Sequence, residues 1–380
     1  MKIGIVTLPF NWNYGGILQT YALQHALKEL GHEAVTINRN TVLMPFKMKV
    51  LSFVRRAILR VVFRKDVVLR TWPTKHEEKL IRQHTDRFIA EHVATTNLFR
   101  SEADFNTIDK YGFEAYVSGS DQVWRPKYSP SLKNHFLGFL ANDSHAKRIS
   151  YAASFGVDNW EFNEQDTKIC SDLAQKYKAI SVREDSAIDL CKKQLGVDAQ
   201  LVLDPTMLVL NENYIALVEK DGIEKMPGSL FNYVLDLTPE KEQFIYEAAR
   251  QLGLVAFSST AKGSFRDLGK NKLNDCIFPP ITQWLRSFMD AEFVITDSFH
   301  GTAFSIIFNK PFISIGNKKR GITRFSSLLK MLGLEDRLIF DFGADSLNKL
   351  NNTIDFEAVN KKLETQKKES FNFLRNALAD

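Results

Sequence analysis

The sequence predicts an α/β protein built as two halves that face each other across a cleft. Short apolar runs rich in Val, Ile and Phe alternate with helical stretches from one end of the chain to the other. At 380 residues the chain is about twice the length of a usual domain, enough for two cores. The expected division is 1–205 and 206–380, with a basic amphipathic insertion at about 45–92 in the first half.

Residues 2–8 read as a β-branched strand ending at Pro9, and a loop over 11–16 leads into a helix over 17–30. Gly31 stops that helix and 33–37 is the next strand. Strand, glycine loop, helix, strand is the opening of a nucleotide-binding α/β unit, although the dinucleotide fingerprint is absent. Gly15 and Gly16 permit a tight turn with exposed amides. Trp12, Asn13 and Tyr14 add stacking and hydrogen-bonding groups suited to a sugar, the bland alternative being a plain βα turn.

Residues 47–70 interleave apolar clusters with Lys47, Lys49, Arg55, Arg56, Arg60, Arg64, Lys65 and Arg70, against the single acid Asp66. The net charge of +5 is concentrated here. Phe53, Val54, Ile58, Val61 and Val62 fall near one helical face. Two readings stand: an interfacial helix in the headgroup layer of an anionic membrane, or a solvated insertion whose apolar face packs on the domain.

A helix over 75–91 and a strand over 114–117 lead into Ser118-Gly119-Ser120-Asp121-Gln122-Val123-Trp124. So many small polar groups after a strand suggest a binding loop, with Asp121 to accept a hydroxyl proton and Gln122 and Trp124 to hold a sugar ring; the alternative is an Asx-type turn. A strand over 147–153, a helix over 165–177 and a strand over 179–182 then place Arg183 at a strand's carboxyl edge. There it serves either as an anion-binding fork or as the partner of Glu184 and Asp185 in a surface ion pair. Residues 201–204 and then Pro205 end the first half.

The second half repeats the alternation, with strands over 230–236 and 253–257 and helices over 239–252 and 281–290. Residues 293–295 are a buried strand; Thr296, Asp297 and Ser298 offer oxygens that cap the helix after it. His300 sits at that helix N-terminus, where amide donors and a partial positive charge attract anions, and Gly301 leaves the backbone beside it uncovered. The basic cluster Lys318, Lys319, Arg320 follows the next strand, 312–315, on the same sheet edge. A short amphipathic helix over 324–332 and a longer one over 356–379 complete the chain, the last suited to pack back on the first half.

No run of ~18 apolar residues and no signal-peptide pattern are present, so the expected location is the cytoplasm, with peripheral contact at the inner face of the membrane. Cys170, Cys191 and Cys276 are scattered singly, which argues against disulfides and a zinc site. Nucleic-acid binding fits poorly, because the basic residues are interleaved with aliphatic ones and lack an aromatic stacking series.

Five motifs in order resemble the polysaccharide pyruvyl transferase family over nearly the whole chain. They are Asn13-Tyr14-Gly15-Gly16 before Leu18-Gln19-Thr20-Tyr21-Ala22-Leu23, Gly119-Ser120-Asp121-Gln122-Val123-Trp124, Ser150-Tyr151-Ala152-Ala153-Ser154-Phe155-Gly156, Val182-Arg183-Glu184, and Thr296-Asp297-Ser298-Phe299-His300-Gly301. The resemblance implies two Rossmann-like domains in a GT-B-like arrangement, phosphoenolpyruvate as donor, a sugar hydroxyl pair as acceptor, often lipid-linked, and a pyruvate ketal and phosphate as products. It maps the family's catalytic His onto His300, its Arg after the strand onto Arg183, and a donor-holding basic residue into 318–320. Many members carry an Arg two positions before that His, where this chain has Ser298, so anion binding leans on Arg183, the basic cluster and helix amides. Ketal formation needs a proton delivered to the vinyl carbon and a base for the sugar hydroxyl; His300 is the expected acid and Asp121 the expected base, the alternative for His300 being to neutralise the departing phosphate. No cofactor is required, and a loosely held Mg²⁺ is compatible with the scheme. Two other functions fit the same plan: a GT-B glycosyltransferase using a nucleotide sugar, and a non-catalytic, membrane-docked binding protein of a polysaccharide assembly complex.

Overall fold

A computed structural model describes residues 1–39, 45–129, 131–317 and 321–379. Strands β1 (Lys2–Val6), β2 (Glu33–Thr36), β3 (Ala115–Asp121), β4 (Lys147–Ala153), β5 (Ala179–Val182) and β6 (Gln200–Leu201) form one sheet in the order β2-β1-β3-β4-β5-β6. Strands β7 (Leu230–Tyr233), β8 (Ala256–Phe257), β9 (Phe293–Thr296), β10 (Phe312–Ile315) and β11 (Leu338–Ile339) form a second, in the order β11-β10-β9-β7-β8. The ladders are parallel in both. Helices cover the sheet faces, which is why β3 and β9 are buried along their whole length and read as unbroken rather than alternating runs.

Both sheets reverse their strand order once, beside β1 and β3 in the first and beside β7 and β9 in the second. A crevice opens at the carboxyl ends of the strands at such a reversal, because the flanking helices leave in opposite directions. The ends of β3 and β9 carry Asp121 and the run into His300.

The opening helix begins at Tyr14, not at 17. The Asn13 carbonyl accepts the Ile17 N–H, so Gly15 and Gly16 belong to its first turn instead of a preceding loop. After β6, Asp204 turns away to accept the Thr206 N–H and cap the turn Pro205–Met207. The last helix, Phe356–Leu378, crosses to the first sheet: Ser370 Oγ accepts the Leu203 N–H, and Lys147 Nζ donates to the carbonyls of Leu378 and Ala379. One apolar core joins the two halves, running from Ile3 and Leu18 through Tyr214 to Val294 and Phe304. Further bonds tie the halves together, Tyr14 Oη donating to the Pro279 carbonyl and Ser327 Oγ to Asp185 Oδ1.

The helix Phe46–Val61 stands apart, with no buried residue. It is a solvated insertion, and its exposed apolar positions do not pack on the domain as that reading expected. No helix among the described residues is long and apolar enough to cross a membrane. The three cysteines are buried and unpaired.

Candidate functional site

The site starts at the end of β9. Ser298, in extended conformation, caps the helix Phe299–Ile307 by accepting the Gly301 N–H. That helix is buried throughout, which fixes His300 in its first turn at 5% exposure. A Cβ on Gly301 would stand 2.1 Å from Thr296 Oγ1, so this glycine serves close packing of helix on strand and does not leave amides open to an anion. On the other side, a Cβ on Gly15 would stand 2.1 Å from His300 Nδ1. The imidazole of the second half therefore rests on bare backbone of the first.

Around His300 lie groups from four further strand ends or helix starts. Arg183, just past β5, donates from Nη1 to Asp204 Oδ2 (2.5 Å) and from Nη2 to Asp121 Oδ1 (2.9 Å). Arg324, in the first turn of the helix Thr323–Leu332, brings Nη1 to 3.6 Å from the same Asp121 oxygen. Both guanidinium groups lie against the Phe299 ring, at 4.4 and 5.6 Å from its centroid. His300 Nε2 is 3.8 Å from Asp204 Oδ2, is buried, and makes no hydrogen bond among the described residues. Arg183 Nε is likewise buried and unsatisfied. Orphaned donors and acceptors in such a place are what a bound polar ligand would satisfy.

The charges set one another. Burial opposes ionisation of Asp121, but Arg183, His300 and Arg324 outweigh it and hold its pKa at about 2. Asp204 is held low in the same way, chiefly by Arg183. Burial lowers Arg324 to about 10, with Arg183 adding to the effect. Burial also pulls His300 below its ordinary 6.5; Asp204 and Asp121 push it back up, and the two arginines press it down. The cluster thus contains two carboxylates, two guanidinium groups and a neutral imidazole. Asp121 adopts a left-handed backbone (φ 72), a conformation common where a site dictates side-chain direction.

The remaining expected residues divide. Asn13 is exposed and Gly16 half-buried beside it. Tyr14 is withdrawn from solvent, its ring packed on Phe278 and Trp284, and burial pushes its phenol pKa up; it is a contact between halves and not a sugar platform. Trp124 is wholly buried and stacked on Phe136 at 4.6 Å, so it cannot stack on a sugar either. Gln122 Oε1 accepts from Arg125 Nη1 and lies against Gly156. Of Trp12, Tyr14 and Trp124, it is Trp12 that stays at the surface, 49% exposed. Asp297 is structural, accepting from the amides of Leu235 and Asp236 and from Lys241 Nζ. Lys318, Lys319 and Arg320 lie outside the described residues. Their neighbour Gly321 (φ 88) approaches the first half so closely that a Cβ would stand 1.9 Å from the Gly156 carbonyl oxygen.

Asp204, Phe299 and Arg324 were not singled out from the sequence. Asp204 precedes Pro205 at a strand end, and Arg324 is a cation in a helix's first turn, against the dipole preference; both are local signals of a special environment. Among the described residues no group of three or more His, Cys, Asp or Glu could hold a metal ion.

Two of the solved structures that the chain resembles cover its whole length. One is UDP-GlcNAc 2-epimerase from Neisseria meningitidis bound to UDP-GlcNAc (TM-score 0.50, 7% identity, 100% of this chain and 99% of that one). The other is S. aureus MnaA with UDP (TM-score 0.50, 11% identity, 100% and 97%). At these identities the likeness shows the fold, the GT-B arrangement of two α/β halves. No curated protein matches the chain in sequence. The model of the family described as polysaccharide pyruvyl transferase matches residues 13–319, most of the chain, and the chain belongs to that family.

Proposed function

We propose that the protein moves the pyruvyl group of phosphoenolpyruvate onto a hydroxyl pair of a sugar in a surface or capsular polysaccharide precursor. The observation that supports this most is the unsatisfied His300 Nε2 within a cluster holding Arg183 and Arg324. The donor carries a carboxylate and a phosphate close together, and two guanidinium forks in one buried place suit that pair. A proton added to its methylene carbon creates an oxocarbenium-like centre at the carbon bearing the phosphate. One sugar hydroxyl adds there, the carbon–oxygen bond to phosphate breaks, and the second hydroxyl closes the ketal. Of the two hydroxyl protons released, one balances the proton placed on carbon and the other leaves with phosphate.

His300 is the proton carrier in this reading, since it alone among these groups changes charge near neutral pH. The incoming negative charge of the donor raises its pKa, so that it holds the proton when the donor is in place. Asp121 is the base for the sugar hydroxyl in this reading: against burial, Arg183 holds its pKa low in the empty site, and a donor that takes over that guanidinium releases the carboxylate to accept a proton. With Asp204, it orients the guanidinium groups. The test is phosphate release from phosphoenolpyruvate with free and lipid-linked galactosides and mannosides, wild type against His300→Ala. Acceptor-dependent release that the substitution abolishes is expected. No release, with thermal stabilisation by a UDP-sugar and none by phosphoenolpyruvate, would assign the site to nucleotide-sugar chemistry.

A further inference from the structure

The helix Phe46–Val61 is amphipathic in the inverted sense. Its polar and basic positions lean on the segment that follows it: Ser52 Oγ lies 3.4 Å from Thr71 Oγ1, Arg56 Nη1 donates to the Val68 carbonyl (2.9 Å), and Lys49 Nζ sits over the Trp72 ring. The opposite face carries Phe46, Val50, Leu51, Val54, Ile58 and Val61, all exposed, Phe46 at 79% and Val61 at 77%. A contiguous outward apolar stripe of this kind marks an interaction surface, unlike scattered single residues. The helix holds five cations, Lys47, Lys49, Arg55, Arg56 and Arg60, and no acid; Arg64 and Lys65 follow it. Arg55 and Arg60 are exposed and flank the stripe.

We infer that this helix docks the protein on a membrane containing anionic lipid, lying flat with its apolar stripe among the acyl chains and its flanking cations at the headgroups. Charge selects this occupant. A second copy of the helix would set cation rows against cation rows, whereas an anionic bilayer complements both the stripe and its flanks. Sixteen residues at about 1.5 Å each make a rod of roughly 24 Å, which lies in the interface and does not span it. The inference rests on this helix alone and is independent of the reaction proposed above.

The experiment is co-sedimentation of the full chain with phosphatidylcholine vesicles, with and without phosphatidylglycerol, at low and high salt. Binding confined to the anionic vesicles and weakened by salt is expected, each cation near the surface contributing about five-fold in partition. Val54→Glu with Ile58→Glu should abolish it, and Arg55→Glu with Arg60→Glu should lower it by an order of magnitude or more. Because these side chains are exposed, unchanged thermal unfolding of each variant is the control for folding. The inference is overturned by no binding to either vesicle, or by binding that survives Val54→Glu with Ile58→Glu. It is equally overturned by a self-associated species that this pair disrupts while vesicles leave the protein untouched.

Discussion

His300 takes its chemistry from where it is buried. With its pKa below the ordinary 6.5 the imidazole is neutral at pH 7 in the empty site, and on the proposed reaction an anionic donor would reverse that by supplying the opposite charge. Binding of phosphoenolpyruvate should therefore take up to about one proton from solution, read as a binding enthalpy that varies with the ionisation heat of the buffer. His300→Gln should remove the dependence. Gly15 and Gly16, adjacent in sequence, should part company. Gly15→Ala drives a methyl into the His300 ring and should cost about a hundred-fold or more in activity, as a displacement near 1 Å at a reacting group does. Gly16→Ala meets the Asn13 side chain first, no nearer than 3.4 Å, and should leave activity unchanged while stabilising the helix by about 0.5–1 kcal/mol in chemical denaturation. The sequence marked both glycines as special but could not rank them, because what distinguishes them is a residue in the other half. Trp124 misled for a related reason: an aromatic after a polar loop reads as a platform until Phe136 is seen to stack on it.

Elements were legible where the signal is local. The strands 147–153, 179–182 and 312–315 have the expected bounds because short strand-forming runs bounded by turn or helix signals need little tertiary information. The opening helix began earlier than its glycines suggested, since buried Tyr14 and the Asn13 carbonyl carry its first turn. Asp204 and Arg324 escaped notice because each becomes part of a site only when distant strand ends converge. The basic helix was legible in composition, but which of its faces met solvent was a tertiary fact. Since none of its residues is fully buried, replacing Phe46–Val61 by a short Gly/Ser linker should change unfolding free energy by less than about 1 kcal/mol. A loss of several kcal/mol in urea titration would show that the helix supports the fold.

For the whole molecule, acid should be the weak point. His135 is fully buried beside Arg39, and burial first, then that guanidinium, lower its pKa to about 3. Unfolded, it binds a proton near its ordinary 6.5. Between those values the unfolded chain holds the extra proton, so stability falls as pH drops, by about 1.4 kcal/mol per pH unit for each such group. Asp121, with its ordinary value of 3.8 lowered to about 2, adds its own loss only below about pH 4. The thermal midpoint should decline from neutral pH to about 5, and less steeply in His135→Gln. At the junction of the halves, Arg183 is already engaged by Asp121 and Asp204 when no substrate is present. On the proposed reaction the donor must displace these internal anions, so its affinity measures a difference between two sets of ion pairs. The same carboxylates are on hand to reclaim the guanidinium once the ester bond breaks, which makes them built-in competitors of the departing phosphate and ties product release to the resetting of the empty site.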